Sequence, residues 1–308
     1  MQAPDWRRDG RGRRGVSFIH LLRAFRGIVW REMLRFLQQR ERFFAALVRP
    51  MVWLIIFAAG FRAALGISII PPYETYITYD VYITPGLLAM IQLFNGMQSS
   101  LSMVYDREMG SMRVLLTTPL PRWFLLISRL FAGVIVSLFQ VYTFLIVAQL
   151  LGVALPPWYP LWTVAVPFWP GELGIVIPPI EYLTVLPALI LTGMMFGALG
   201  MLLSSTIKQL ENFAGIMNFV IFPMFFASSA LYPLWKMQEG SMWLYYICIY
   251  NPFTWAVELI RFALYQQINW TALAVVVGCL VVFLALSVWA YDPSRGIQQR
   301  KAGAAAAA

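Results

Sequence analysis

The fold class expected of this chain is an all-α polytopic membrane protein with six transmembrane helices. Three observations lead there. Sixty per cent of the 308 residues are hydrophobic and 12% are charged, where a soluble domain has about a quarter charged. Apolar runs of about twenty residues recur, each matching the hydrocarbon thickness of a bilayer. Lys and Arg gather in some connections and are missing from others.

The spans fall at about 47–66, 84–104, 123–151, 183–205, 212–233 and 270–290. Each must be helical, because backbone polar groups in lipid need partners within their own segment. Pro187 and Pro223, inside the fourth and fifth spans, point to kinks. Residues 1–16 form a basic tail, 17–46 an amphipathic interface helix, 47–291 the six-span domain and 292–308 a second tail.

Orientation follows from the basic residues. Residues 1–49 hold twelve arginines against Asp5, Asp9, Glu32 and Glu41, a surplus of eight within a chain total of +9. Loops 67–83 and 153–182 have no Lys or Arg; they carry Glu74 and Asp80, and Glu172 and Glu181. Loops 105–122 and 206–211 and the tail after Tyr291 all contain basic residues. Both termini are therefore expected in the cytoplasm, in a bacterial inner membrane. The basic N-terminus leads into an Arg-studded stretch rather than a short apolar core, so the first span is expected to act as its own insertion signal. Residues 161–179 are apolar, but four prolines and Glu172 favour an ordered external loop over a seventh span.

In residues 17–46, Phe18, Leu21, Leu22, Phe25, Ile28, Val29, Met33, Phe36 and Leu37 recur at helical spacing, with Arg23, Arg31 and Arg35 off that face. Such a helix lies in the interface, with its apolar side toward acyl chains and its arginines toward phosphates. Membrane lipids are thus one expected partner, and nothing points to nucleic acid.

Several function classes are excluded. No Gly-x-x-x-x-Gly-Lys-Ser/Thr loop occurs, and the lysines are Lys208, Lys236 and Lys301 alone, so the chain is no P-loop ATPase. His20 is the single histidine, which leaves no metal cluster and no Ser-His pairing within a span. No metal site, no cofactor and no catalytic residue are expected. Cys248 and Cys279 make no disulfide framework. The spans carry few ionisable groups and no proton relay, so any energy for transport must arrive from outside them.

Two segments need more than topology to explain them. Residues 105–122, "YDREMGSMRVLLTTPLPR", place Asp106, Arg107, Glu108, Gly110, Arg113 and Leu116 between two spans and end on Pro-Leu-Pro. An ordinary turn is one reading; a short helix on which a soluble motor pushes is the other. Residues 250–265, "YNPFTWAVELIRFALY", are too polar for a span and too apolar for a free loop. Asn251-Pro252 breaks a helix, and Glu258 and Arg261 share a face at i, i+3. These features predict external re-entrant helices beginning near Trp235 and tied by a structural ion pair. Gly193, Gly197 and Gly200 in "GMMFGALG" permit close helix approach, within one subunit or between two. Lys208 and Glu211 belong to a tight turn between the fourth and fifth spans.

With Tyr-Asp-Arg-Glu-x-Gly and Leu-Leu-x-x-Pro-Leu after the second span, and Asn-Pro-x8-Arg before the last, the chain resembles the type-2 ABC transporter permeases. The wording of "NGMQSSLSMVYDREMGSMRVLL" and "SSALYPLW" is similar to the nodulation-factor and drug exporter branch. The resemblance spans roughly residues 17–297. It implies a half-transporter: two permease copies, a homodimer in the simplest case, each on a separate ABC ATPase subunit that binds ATP and Mg. It maps the coupling helix onto Asp106–Leu116 and the interface helix onto residues 17–46. A pore-forming channel and a structural scaffold are the alternatives. The first would need a polar filter stripe, and the second would have no use for a coupling segment.

Overall fold

A computed structural model describes residues 18–38, 40–61, 71–73, 77, 79–108, 122–150, 163–165, 172–174, 180–207 and 210–290. Among these residues the chain is nearly all helical. The helices are α1 (Phe18–Gln38), α2 (Arg40–Phe61), α3 (Tyr79–Glu108), α4 (Arg122–Leu150), α5 (Ile180–Thr184), α6 (Leu186–Thr206), α7 (Leu210–Phe226), α8 (Leu234–Gly240), α9 (Met242–Tyr250), α10 (Pro252–Leu264) and α11 (Trp270–Ala290). The strictly all-α expectation needs one correction. Strands β1 (Thr163–Ala165) and β2 (Glu172–Gly174) pair antiparallel within the segment expected to be an ordered loop.

Three helical stretches are long and apolar enough to cross a membrane: Trp123–Ala148, Tyr182–Thr206 and Trp270–Ala290. Leu47–Ile56 and Gly215–Phe226 are shorter apolar helices. Helix α3 is different in kind. It is 30 residues long, yet every residue from Tyr79 to Met97 is buried in protein. Because protein surrounds it, its outward positions need not be apolar, and Gln92, Asn95 and Ser100 are tolerated. Helices α6, α4, α2, α7 and α10 all pack on it. Lipid-facing helices show the reverse. Only Ala272, Val276, Leu280 and Ser287 of α11 are buried, while Val277, Val281, Leu286 and Trp289 are exposed.

Several element bounds depart from the hydropathy reading. The amphipathic segment 17–46 is shared between α1 and the start of α2. Its apolar face is also shared: Phe25 and Phe36 pack edge-on against Phe131 and Phe139 of α4, while Ile19, Leu22, Trp30 and Leu37 stay exposed. The fourth span is broken at Val185, so Pro187 stands in the first turn of α6 rather than at a kink. Proline fits there because first-turn N–H groups have no intrahelical partner. Pro223 does lie inside α7. That helix ends at Phe226, and residues 227–233 form a compact non-helical turn where the fifth span was expected to continue.

Candidate functional site

The turn after α7 poses a physical problem. Its carbonyls are buried, and an unmet buried acceptor costs about 1–3 kcal/mol. Side chains from two distant helices supply the donors. Tyr82 Oη donates to Ser229 O at 2.9 Å, and Tyr79 Oη to Leu231 O at 2.9 Å. Arg261 Nη2 also donates to Ser229 O at 2.9 Å. Asn251 Nδ2 donates to Met224 O and Ala227 O, both at 2.7 Å, while its Oδ1 accepts from Phe253 N at 3.0 Å and so caps α10. Pro252 occupies the first position of that helix, where its missing N–H costs nothing. Within the turn, Ser228 Oγ donates to Phe225 O at 2.6 Å and accepts from Ala230 N at 3.2 Å.

Arg261 is the centre of this arrangement. Its Nη1 donates to Glu258 Oε1, one helical turn back on α10. Its guanidinium lies 4.2 Å from the centroid of the Tyr82 ring. Tyr82 stacks on Tyr79, and Tyr73 meets Tyr265 edge-on at 5.0 Å. Only 4% of Arg261 is exposed, so its charge is held by a carboxylate, a carbonyl and an aromatic face together. Burial pushes the Tyr73 hydroxyl up to about 12, with the Arg261 charge working against that rise. The cluster ties the start of α3, the turn after α7 and helix α10 into one block.

A second polar region lies farther along α3. Gln92 Nε2 donates to Leu189 O at 2.7 Å and its Oε1 accepts from Thr192 Oγ1 at 2.6 Å. Asn95 Nδ2 donates to Gln140 Oε1 of α4. Glycines allow the backbones to meet here. A Cβ on Gly200 would lie 2.6 Å from Gly96 O, one on Gly96 2.8 Å from the backbone of Phe196 and Gly197, and one on Gly197 2.4 Å from Leu130 Cδ1. Gly193 would make ordinary contacts with Gln92, Ser137 and Val134. All three glycines of "GMMFGALG" thus face neighbours within the subunit. Beside Gly96, Ser99, Ser100, Arg129, Gly133 and Ser137 line a small cleft.

Asp106, Arg107 and Glu108 are the last residues of α3, at the end remote from Arg261. Gly110, Arg113 and Leu116 lie outside the described residues, as does Lys208, and Glu211 stands in α7. The structure therefore places Asp106, Arg107 and Glu108 at one end of α3 and the Arg261 cluster against the other. Sequence reasoning passed over Tyr79, Tyr82, Gln92, Asn95 and Gly96. Their signal was present as polar and small residues inside an otherwise apolar run.

A buried central helix inside an apolar bundle, with the short helices α8, α9 and α10 following the turn that covers one end, is the architecture of a polytopic membrane protein. Residues 23–265 match the family model described as ABC-2 type transporter, and the chain belongs to that family. It is 31% identical over 243 residues to a Cyanophora paradoxa protein named as transport permease ycf38, covering 76% of this chain and 72% of that one. A Porphyra purpurea protein of the same name is 24% identical over 83% of this chain and 78% of its own. The Escherichia coli K12 protein named as multidrug ABC transporter permease YbhR is 27% identical over 182 residues, 58% of this chain and 42% of its own.

Proposed function

We propose that this permease is the six-span membrane subunit of an ATP-driven exporter, working as a dimer with separate ATPase subunits in a bacterial inner membrane. The observation that carries this reading is the span of α3. At about 1.5 Å per residue, its 30 residues reach past a hydrocarbon core on the order of 30 Å thick. One end is fastened by Tyr79 and Tyr82 to the turn after α7. The other ends at Asp106-Arg107-Glu108, directly before Gly110, Arg113 and Leu116.

In this reading the basic Glu108 end and both termini are cytoplasmic, and the block around Arg261 is external. The ATPase seats on Asp106–Leu116 and on α1, and ATP and Mg are bound by that partner. A push there is delivered along a stiff helix to the external block, where Glu258, Arg261 and Asn251 hold the exit closed. The test is subunit composition and energy source in one preparation. The permease is isolated with its ATPase in mild detergent for mass measurement and then reconstituted. Two permeases with two ATPases, and efflux of a lipid, glycolipid or drug that stops without ATP, are expected. Full ATP-driven efflux from a single permease copy refutes the dimer, and efflux indifferent to ATP refutes the exporter.

A further inference from the structure

Arg49 on α2 is the observation that the exporter reading leaves unused. Among the described residues it has no carboxylate partner; it is exposed, and the Phe94 ring centroid is 4.2 Å from its guanidinium carbon. An aromatic face attracts a cation without neutralising it. Arg49 lines a cleft with Pro50, Phe94, Asn95 and Gln98. Behind Asn95 lies a buried donor with nothing to bind: Gln140 gives its Oε1 to Asn95, while its Nε2 has no partner and the residue is 1% exposed. The cleft continues through Asn95 and Gln98 into a second one, where Ser99 and Ser102 add hydroxyls. Glu32 is the carboxylate bordering that second lobe, and Arg31 pairs with it at 3.0 Å. Among the described residues no carboxylate is left to compensate the charge of the Arg49 lobe.

We propose that Arg49, Asn95 and Gln98 bind the anionic head of an amphiphile resident in the membrane leaflet beside α1. The guanidinium holds the anion, and Asn95 and Gln98 form the polar wall of its cleft. The molecule must also carry hydrocarbon, because Val48, Val52 and Ile55 around Arg49 on α2 are exposed and apolar. Depth agrees. Gln98 precedes Glu108, the end of α3, by about 15 Å at the helical rise, which sets the cleft on the Glu108 side of the bilayer midplane, where a headgroup is drawn inward by Arg49. The site names the class of cargo for the proposed exporter and rests on that proposal for this role alone.

The experiment needs neither ATPase nor ATP, so its failure and that of the exporter reading are separate results. Purified permease in neutral detergent is titrated with phosphatidylglycerol, phosphatidylcholine or free glycerol phosphate, and retained molecules are counted by native mass spectrometry. Wild type should retain phosphatidylglycerol about tenfold more tightly than phosphatidylcholine, the scale of one basic residue near an anionic head. Arg49→Gln should erase the preference, Arg49→Lys should keep part of it, and Arg31→Gln should leave it intact. Asn95→Asp, which adds a negative charge beside Arg49, should erase it too and decides the matter should Arg49→Gln fail to fold. An unchanged preference in folded Arg49→Gln or Asn95→Asp overturns the site. Displacement of the lipid by equimolar glycerol phosphate overturns the assignment to an amphiphile.

Discussion

The two halves of α3 are built on opposite principles. From Tyr79 to Met97 the helix is sealed within protein, and Tyr79, Tyr82, Gln92 and Asn95 are matched to carbonyls, amides and hydroxyls of other elements. From Gln98 onward one face opens: Ser100, Met103 and Val104 stay buried, while Gln98, Ser99, Leu101 and Ser102 are half-buried and Tyr105 is 50% exposed. One half is anchored by its own subunit, and the other leaves surface for something else to bind. On the proposed function, a single helix serves both as a fixed part of the fold and as a handle for the ATPase.

That contrast breaks first at the anchored end. Arg261→Ala leaves Glu258 and Ser229 O buried without their cation, and losing one partner of a buried pair costs about 3–5 kcal/mol. Loss of folded protein in a detergent thermal scan is expected, and a stability within error of wild type would show that Arg261 is not the centre of the block. Gly200→Leu should come next. It drives side-chain atoms against the Gly96 carbonyl, and overpacking costs typically about 1–3 kcal/mol. Gly278→Ala on α11, where a Cβ meets nothing within 4 Å, is the matched control and should change stability by less than about 1 kcal/mol.

Tyr82→Phe removes one hydrogen bond to Ser229 O while Arg261 keeps that carbonyl occupied, so a loss of about 1 kcal/mol is expected. The pH response is the smallest effect. Burial raises Tyr73 from 10.0 to about 12, so the folded state favours its neutral form. Stability from that preference is complete below pH 10 and is lost as pH climbs toward about 12. Tyr73 should leave the unfolding midpoint unchanged between pH 7 and 9 and lower it above pH 10, and Tyr73→Phe should flatten that alkaline loss alone.

The legible part of this molecule was the part governed by local pattern. Amphipathic spacing located α1, and the Asn-Pro break with Glu258 and Arg261 located α10. Hydropathy placed the fifth span through residue 233, because Ala227–Tyr232 reads as apolar as a helix. The helix stops at Phe226 because Tyr79, Tyr82, Asn251 and Arg261 satisfy the carbonyls that a helix would otherwise have bonded. Those donors are as many as 152 positions away, and no window along the chain holds both partners. The break at Val185 and the β1–β2 pair were missed for a related reason. Span-length averages blur any interruption of a few residues.

The most direct test of the account is charge reversal at the open end of α3, with Glu108→Arg and Arg113→Glu assayed in the same vesicles for ATPase retention and for transport. Charges standing in water, as the proposed function expects of these two, contribute no more than about 1 kcal/mol to folding, whereas a reversed charge against a bound subunit can cost several times that. The account predicts normal insertion and unchanged thermal stability, with the ATPase lost or its hydrolysis uncoupled from efflux. Normal ATPase retention and normal efflux in both variants would contradict it, and would leave residues 105–122 as nothing more than a turn.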